Sequence, residues 1–435
     1  MKETNRRQFM KQGAAVAAAA PLSASARQEA AGGGETLKVG LVGCGGRGSG
    51  AAAQALKADE KVKLYAVADV FGDKIESSLK NLSAQPEVSA KVAVSPERRF
   101  SGFDAYKKVI DAVDVVLLAT PPHFRPIHLD YAVEQGKHVF AEKPVAVDGP
   151  GARSVLDSCR RAKKKGLSIV SGLCLRHYNC FEETMKRIHD GEIGEVVCLE
   201  ANDYRGGIWD RSRAKLAERL GRPPTEMEYQ MHNWYHFTWL SGDFNVEQHV
   251  HFLDVCAWAL GDRYPERCVA MGARQSRPDN GGNVFDSFSA TFDYADGAKV
   301  YSNARHLQGA KAYRHIGAEV KGTRGGGVIS EYKNRHHLDL DGKTWRFQGE
   351  HNHFYQTEHD RLFASIRSGK PINNGDYMAK STLMAIMQRE SAYTGEAITW
   401  EQALASKQNL SPERYAWNAE PPPSKVAVPG LTRFK

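Results

Sequence analysis

Residues 37–69 constrain the fold of this chain more than any other stretch. They read as a buried strand, LKVGLVG, a glycine-rich turn, a helix of small residues, and a second strand, VKLYAVAD, which ends on Asp69. The turn has the spacing G-x-G-x-x-G, and its residues are Gly43, Cys44, Gly45, Gly46, Arg47 and Gly48. Strand, glycine-rich turn, helix, strand and acid in this order are typical of a dinucleotide-binding βαβ unit. The sequence therefore predicts a Rossmann-type α/β domain that binds a dinucleotide.

The turn residues and Asp69 are candidate cofactor-binding residues. Gly43 allows a tight turn, Gly45 lets the backbone approach a pyrophosphate, and Gly48 permits close packing of helix on sheet. Free N–H groups and the positive dipole end of the helix hold the phosphates. Asp69 lies 21 residues after Gly48, a spacing that suits an acceptor for the adenosine ribose. Because an acid there repels a 2′-phosphate, we expect NAD rather than NADP. A glycine-rich turn without a ligand is the competing interpretation.

Composition and charge exclude several functional classes. A chain of 435 residues is long enough for two or three domains. The formal charge of +8 is spread along the chain, and the basic run at 160–165 is better explained as a solvated helix face than as a nucleic-acid site. No apolar run reaches about 18 residues, so no membrane span is expected. The seven cysteines include no C-x-x-C pair, which favours buried thiols over a zinc site or a disulfide framework.

The N-terminus reads as a targeting segment. A charged region at 5–11 with adjacent Arg6 and Arg7 precedes a short apolar stretch and an A-x-A-type cleavage site at 24–26. The segment 1–26 resembles a twin-arginine signal peptide, which directs export of a folded protein. We therefore expect a periplasmic or otherwise exported protein, with 27–36 as a flexible linker. An ordinary N-terminal tail is the alternative.

Residues 37–164 continue the α/β pattern and form the predicted first domain. Alternating strand and helix patterns predict a parallel, doubly wound sheet, which binds ligands at the carboxyl ends of its strands. Two polar motifs follow buried strands at such ends. They supply further candidate cofactor contacts, namely Thr120, Pro121, His123, Glu142 and Lys143.

These motifs resemble a known family. The order G-x-G-x-x-G, ATPP with a nearby His, and AEKP is similar to that of the glucose-fructose oxidoreductase, inositol dehydrogenase and MocA (Gfo/Idh/MocA) family. The resemblance implies a Rossmann domain followed by a larger α/β domain with an open sheet. It also implies NAD(P)-dependent chemistry at a ring carbon of a sugar or cyclitol. Glu142-Lys143-Pro144 matches the family's E-K-P motif, in which the lysine contacts substrate, so Lys143 is a candidate catalytic residue.

Residues 165–401 form the predicted substrate domain, and 402–435 a wrapping tail. A strand over 167–177 ends on Arg176 and His177, and the charged, irregular stretch 209–235 is interpreted as an insertion over the site mouth. After residue 263 the pattern becomes alternating, which predicts a large, mostly antiparallel sheet. The family often uses this open sheet for dimer contacts, so a homo-oligomer is expected. Candidate substrate-binding residues outside the next helix are Lys143, Arg176, His177, Tyr204 and Tyr235.

One predicted helix, residues 241–261, carries the other candidate catalytic groups. Its apolar residues recur at spacings of 4, 3, 4 and 3, while Glu247, His251 and Asp254 follow an adjoining stripe. The family's corresponding helix reads G-G-G-x-x-x-D-x-G-x-H-x-x-D, which implies that Glu247 takes its first acid position, His251 its histidine and Asp254 its later acid. The chain departs from that pattern in having a longer acid at 247 and His249 in place of a small residue.

The role of His249 stays open. A helix rotates about 200° over two residues, so His249 and His251 need not share a site. His249 is retained as a candidate substrate-binding residue. A metal site built from Glu247, His249 and His251 is possible by spacing but not favoured, and no metal is expected. A structural, hydrogen-bonded histidine is the alternative for His251.

The leading hypothesis is an exported NAD-dependent oxidoreductase of a ring hydroxyl. His251 would accept the hydroxyl proton, Lys143 would stabilise the alkoxide, and Glu247 would orient His251 or bind a neighbouring hydroxyl. The second hypothesis is a redox-neutral NAD-dependent glycosidase or epimerase with a retained cofactor, in which His249, Tyr204 or Tyr235 would be extra bases. The third is a non-catalytic NAD-holding or sugar-sensing protein.

Overall fold

The computed structural model describes residues 35–307, 309 and 311–435. The predicted signal peptide at 1–26 and most of the predicted linker at 27–36 lie outside the described residues. The described chain forms two α/β domains that meet along a deep cleft.

The first domain is built on a six-stranded parallel sheet. Its strands have the order β3-β2-β1-β4-β5-β6, which is the order of a dinucleotide-binding fold and confirms the predicted Rossmann class. Its elements are β1 (Leu37–Val42), α1 (Gly46–Ala58), β2 (Val62–Asp69), α2 (Gly72–Ser83), β3 (Arg99–Ser101), α3 (Ala105–Ala112), β4 (Val115–Leu118), α4 (Arg125–Glu134), β5 (His138–Ala141), α5 (Gly149–Lys164) and β6 (Ile169–Ser171).

Burial explains why this sheet forms and where it binds a ligand. The central strands are mostly apolar, and their buried residues are all apolar or glycine, as strands covered by helices on both faces require. Strand order reverses between β1 and β4, so the helices that follow them diverge and leave a crevice at the carboxyl ends. The glycine-rich turn follows β1 directly and therefore opens into that crevice.

The strand predicted at 167–177 belongs to the first domain rather than the second. Only Ile169–Ser171 is extended, and it pairs with β5 as the last strand of the parallel sheet. Residues 174–177 form a 3₁₀ turn, so Arg176 and His177 do not end a strand. The six-stranded sheet thus extends past residue 164, where the sequence pattern had suggested a boundary.

The second domain contains a nine-stranded sheet. Its strands run β14-β13-β12-β11-β7-β10-β9-β8-β15, and all neighbours are antiparallel except β7 and β10. Its elements are α6 (Asn179–His189), β7 (Val196–Arg205), α7 (Arg213–Leu220), α8 (Glu226–His232), α9 (Thr238–Ser241), α10 (Val250–Ala259), β8 (Arg267–Ala273), β9 (Ser287–Asp293), β10 (Lys299–His306), β11 (His315–Gly322), β12 (Gly325–Ile329), β13 (His337–Leu340), β14 (Lys343–Trp345), α11 (Phe354–Arg367), α12 (Gly375–Thr394), β15 (Ile398–Thr399) and α13 (Trp400–Ala405).

One face of this sheet is covered and the other is open. Alternate residues of β8, β9 and β10 are buried, and helices α10 and α12 contact the sheet. The exposed face carries apolar side chains, among them Val269, Met271 and Tyr301, at 46%, 73% and 42% exposure. The predicted mostly antiparallel open sheet is therefore confirmed. Among the described residues, no helix is both long and apolar enough to span a bilayer.

The predicted helix at 241–261 is interrupted at its start. The one-turn α9 ends at Gly242, which adopts φ +78°, and Asp243 shares that value. Residues Asn245–His249 then form a π-helical turn before α10 begins. The interruption arises because the Asp243 carboxylate accepts the backbone N–H of Phe244 and of Phe285 and the hydroxyl of Tyr393. π-Helical turns occur often at functional sites.

Candidate active site

The glycine-rich turn forms an open backbone cradle. Gly43 adopts φ +98°, and its N–H donates to the carbonyl oxygen of Ala68 at 2.8 Å. A Cβ at Gly48 would lie 1.9 Å from the Gly43 carbonyl oxygen, so only glycine allows α1 to pack this closely. A Cβ at Gly45 or Gly46 would meet no atom within 4 Å. The start of α1 therefore presents accessible backbone to a ligand.

Asp69 stands at the end of β2 beside this cradle. Its carboxylate accepts the N–H of Cys44 at 2.7 Å and of Phe71 at 2.9 Å, which fixes its orientation. Burial raises the pKa of Asp69. The Cys44 thiol is buried against the Ala68 carbonyl, so only the backbone of Cys44 serves the turn.

A cleft of about 630 Å³ runs from the cradle to the second domain. Its dinucleotide half includes Gly43, Arg47, Asp69, Thr120 and Pro121. Its other half includes Lys143 from the first domain and residues of β7, the π-helical turn and α10 from the second. The cleft therefore joins the predicted cofactor and substrate regions in one space.

His123 lies outside this cleft. Its Nε2 shares a hydrogen bond with the Tyr415 hydroxyl at 2.8 Å, and its ring packs edge-on against Trp239. Burial lowers the pKa of His123 to about 3, so the ring is neutral near pH 7. The predicted cofactor contact at His123 is therefore corrected to a structural contact with the C-terminal segment.

Arg47 binds Glu142, the first residue of the E-K-P motif. Its Nε donates to Glu142 Oε1, and a terminal nitrogen donates to Glu358 Oε1 at 2.6 Å. The guanidinium also stacks over Tyr355, 4.7 Å from the ring centre. Since Glu358 belongs to α11 of the second domain, Arg47 links the two domains next to the cleft.

Lys143, Glu247 and Tyr235 form a hydrogen-bonded group at the centre of the cleft. Lys143 Nζ donates to Glu247 Oε1 at 2.9 Å and to the main-chain oxygen of the same residue. The Tyr235 hydroxyl donates to Glu247 Oε2 at 2.5 Å. Burial and the Glu247 charge raise the pKa of Tyr235 well above its usual range, so Tyr235 stays a donor. Glu247 thus orients Lys143.

His251 lines the same cleft, and its ring makes no hydrogen bond to the described residues. The predicted orientation of His251 by Glu247 is therefore not observed. Burial and the nearby charges of Lys143, Arg205 and Arg47 lower the pKa of His251 well below its usual range. The low pKa keeps the imidazole neutral, so one of its ring nitrogens can accept a proton or hydrogen bond, with positive charge close by.

Five predicted substrate-binding residues lie outside the cleft. Arg176 forms a buried ion pair with Asp254, at 2.8 Å between Nε and Oδ2, so both are structural. His177 is buried near Arg361, and the Arg305 guanidinium covers the Tyr204 ring at 4.8 Å. His249 does not line the cleft, and its Nε2 shares a hydrogen bond with Ser302 Oγ at 2.8 Å. These five are Arg176, His177, Tyr204, His249 and Asp254.

Several cleft residues carried no signal in the sequence. Arg125 donates from Nε to the Glu142 carbonyl at 2.8 Å and from a terminal nitrogen to Thr120 Oγ1 at 3.2 Å, which joins the ends of β4 and β5. Arg205, Gln248 and Glu331 line the second-domain half. For the second-domain half of the cleft, the only signal in the sequence was the charge of Arg205, which ends β7. Over the described ranges, no group of three or more His, Cys, Asp or Glu side chains could hold a metal ion.

Comparisons with known proteins match both domains. A Gfo/Idh/MocA model described as an oxidoreductase family with an NAD-binding Rossmann fold matches residues 37–170. A second model of that family, described as its C-terminal alpha/beta domain, matches residues 185–398.

The individual relatives have low sequence identity to this chain, but each match covers more than half of it. Inositol 2-dehydrogenase of Rhizobium meliloti (strain 1021) is 23% identical, over 78% of this chain and 91% of that protein. The 2,7-anhydro-N-acetylneuraminate hydratase of Escherichia coli (strain K12) is 25% identical, over 54% of this chain and 56% of that protein. The crystal structure of aldose-aldose oxidoreductase from Caulobacter crescentus complexed with glycerol superposes with a TM-score of 0.64 at 18% identity. That likeness covers 84% of this chain and 100% of the other, and it concerns the fold.

Proposed function

The chain belongs to the Gfo/Idh/MocA oxidoreductase family, and on that premise we propose that it is an exported NAD-dependent oxidoreductase of a sugar, glycoside or cyclitol ring hydroxyl. Membership makes it a nicotinamide-dependent oxidoreductase of CH–OH groups. The observation that carries the finer proposal is the meeting of Lys143 and His251 in a cleft that begins at the dinucleotide turn.

A dinucleotide suits the residues at the turn. The positions of Gly45 and Gly46 are open to a pyrophosphate, and the Gly48 packing leaves no room for a side chain. The Asp69 oxygens each accept one backbone N–H and retain a lone pair for ribose hydroxyls. An acidic group here disfavours a 2′-phosphate, which supports NAD over NADP. When bound, the cofactor supplies the hydride acceptor.

The chain's own residues would then handle the proton and the developing charge. His251 is neutral at pH 7 because its pKa is low, so it accepts the hydroxyl proton without first losing one. Lys143 donates to the same oxygen and stabilises the alkoxide. Glu247 and Tyr235 hold the ammonium in place. The alignment of these groups is the proposed source of catalysis.

The proposal is tested by combining cofactor identification with one substitution. Mass spectrometry of the purified, folded protein identifies any bound dinucleotide. His251→Asn should lower kcat by roughly 10²–10⁴ while dinucleotide binding persists. His189→Gln, at an exposed histidine, serves as the control and should not change turnover. Unchanged turnover in His251→Asn removes the base assignment, and failure to bind any dinucleotide at millimolar supply removes the proposed function.

Export is proposed from the first 26 residues alone. Adjacent Arg6 and Arg7 before a mild apolar stretch support the twin-arginine route. Replacing both arginines with lysine in a full-length chain should retain the protein in the cytoplasm, as measured by cell fractionation. Unchanged export would contradict this route.

We also propose self-association through the open face of the nine-stranded sheet. Val269, Met271 and Tyr301 supply exposed apolar area there. Light scattering should report an oligomer, and Met271→Lys should shift it toward the monomer. A wild-type monomer at micromolar concentration contradicts the proposal.

A second candidate function, the redox-neutral glycosidase or epimerase, is favoured by a contact over the adenosine region. Two segments outside the Rossmann fold cover the loop after β2; we call them the adenosine clasp, residues 209–235 and 410–419. His232 stacks on Phe71 with ring centres 4.0 Å apart, and Arg219 pairs with Asp73. Trp417 packs 5.4 Å from Phe71. The predicted irregular insertion is therefore a clasp that contains α7 and α8.

We propose that the adenosine lies beneath the clasp, which would slow release of the dinucleotide and so supports cofactor retention. A retained cofactor must regain its starting oxidation state within one cycle, either on a second sugar or on the same one. Trp417→Ala combined with His232→Ala should accelerate dinucleotide dissociation, measured by stopped-flow fluorescence. Release of the aglycone from aryl glycosides without added NAD and without net reduction would favour the redox-neutral reaction. Steady accumulation of reduced cofactor would favour the dehydrogenase.

A further inference from the structure

Arg205 presents an unpaired guanidinium edge to the second-domain half of the cleft. Its Nε donates to the buried carboxylate of Asp203, which fixes the plane of the group at the end of β7. Its two terminal nitrogens make no hydrogen bond with the described residues and are not enclosed. Arg205 also lies near His251, since its charge contributes to the lowered pKa of that ring. The free edge therefore lies in the same cleft as His251.

Gln248 adds a second donor beside Arg205. His306 is the cross-strand partner of Arg205, and its Nε2 lies 2.8 Å from Gln248 Oε1. Arg277 approaches the other ring nitrogen of His306 at 3.5 Å, so Nε2 carries the hydrogen and donates to the amide oxygen. The Gln248 amide nitrogen has no partner among the described residues and is left facing the cleft. Arg205 and Gln248 thus form a donor-rich corner.

We propose that this corner binds a carboxylate, and that the substrate is a sugar acid whose carboxylate sits between Arg205 and Gln248. The inference rests on the proposed function and names its substrate class. The terminal edge of a guanidinium matches the two oxygens of a carboxylate, a geometry that a single hydroxyl cannot satisfy. A side-chain amide beside it supplies a third hydrogen bond with a fixed direction.

The other charged groups around the corner leave this edge free. Asp203 Oδ1 accepts from Nε, while Asp203 Oδ2 is buried without a partner among the described residues. Glu247 accepts from Lys143 and Tyr235. Glu331 lines the same cleft, but no ion pair within 4.0 Å joins it to Arg205. Burial raises the pKa of Glu331 despite the opposing charge of Arg205.

The test compares matched acidic and neutral sugars on the cofactor-loaded protein. Calorimetry measures binding of galacturonate, glucuronate and mannuronate against galactose, glucose and mannose, and initial rates are followed for each. At least one acid should bind at least 10-fold more tightly than its neutral partner. Neutral sugars that bind or react better than every acid overturn the substrate class while the oxidoreductase proposal stands. No binding or turnover of any of these six sugars overturns the substrate class, while the oxidoreductase proposal falls only if the protein binds no dinucleotide.

Substitutions then assign the preference to Arg205. Arg205→Lys keeps a positive charge beside Asp203 but loses the planar edge, so the protein should fold normally. It should weaken binding of the preferred acid by about 10–100-fold, the value of a charge-assisted hydrogen-bond pair, and change neutral sugars less than about 3-fold. Arg305→Lys, on the neighbouring strand and the opposite face, is the matched control and should change neither. An acid preference that survives Arg205→Lys and Gln248→Leu overturns the assignment.

Discussion

The ion pair between Lys143 and Glu247 allows structural and catalytic roles to be separated by a double-mutant cycle. The ammonium lies 2.9 Å from Glu247 Oε1, and the two side chains are only 15% and 13% exposed. Lys143→Met leaves a mostly buried carboxylate without its cation. Glu247→Gln leaves the ammonium with neutral oxygen acceptors but without its counter-charge. The double substitution leaves no unpaired charge at all.

The expected magnitudes follow from this burial. Removing one partner of a fully buried pair costs about 3–5 kcal/mol. Because Tyr235 still donates to Glu247 and water reaches the cleft, we expect about 1–3 kcal/mol for Lys143→Met. For a chain of this length that lowers the thermal midpoint by about 1–4 °C. The double variant should return to within about 1 kcal/mol of the wild type. Turnover should fall about 10²–10³-fold in Lys143→Met and stay low in the double variant.

The assay measures thermal midpoints and kcat of the four proteins side by side. Lys380→Met, which breaks an exposed pair with Asp376 on α12, is the control for loss of a lysine and should change both quantities little. Recovery of turnover in the double variant would refute the reasoning, because Lys143 would then act only by neutralising Glu247. Loss of stability that the double variant does not recover would show that Lys143 is needed for packing instead.

Three further predictions address the cofactor turn and the buried histidines. Gly45→Ala should keep the wild-type thermal midpoint but weaken dinucleotide affinity at least 10-fold. Gly48→Ala should lower both the midpoint and the affinity, since a Cβ at this position would lie 1.9 Å from a carbonyl oxygen. Equal midpoints for the two variants would contradict this prediction. Asp69→Ser should shift the ratio of NAD to NADP affinity toward NADP by at least 10-fold, as measured by fluorescence titration, and an unchanged ratio would remove the role of the carboxylate. Burial lowers the pKa of His249 to about 3 and of His306 to about 2, so these rings bind protons more readily when unfolded. Their contribution to the free energy of unfolding is present above the unfolded pKa of about 6.5 and falls with pH below it, by about 2 kcal/mol each at pH 5; a thermal midpoint equal at pH 7.5 and pH 5 would contradict that.

The dinucleotide-binding unit could be predicted from sequence because its information is local. The predicted strand VKLYAVAD coincides with β2, Val62–Asp69, and the turn geometry follows from glycines at fixed spacing. Nothing local, however, says which sheet a strand joins. The short strand Ile169–Ser171 has the same apolar character whether it closes the first sheet or opens the second.

The roles of the polar side chains were harder to predict, because their partners are distant in the chain. Asp254 has the spacing of a site residue, yet Arg176, 78 positions away, binds it in a buried ion pair. His251 and Lys143 could be predicted as cleft residues from motifs, but the pairing of Glu247 with Lys143 joins residues 104 positions apart. Helical spacing gives the direction of a side chain relative to its own helix, but it does not identify the residue from another element that the side chain contacts.

Three of the cations that line the cleft share one arrangement, which bears on how the site works. Lys143 is paired with Glu247, Arg47 with Glu142 and Glu358, and Arg205 with Asp203. Each cation is thus held in position before any ligand arrives, as electrostatic preorganisation requires. Two of these groups also cross between domains, through Glu247 and Glu358. The position of the Lys143 ammonium therefore depends on Glu247 of the second domain, so a change in how the two domains meet would also move this ammonium.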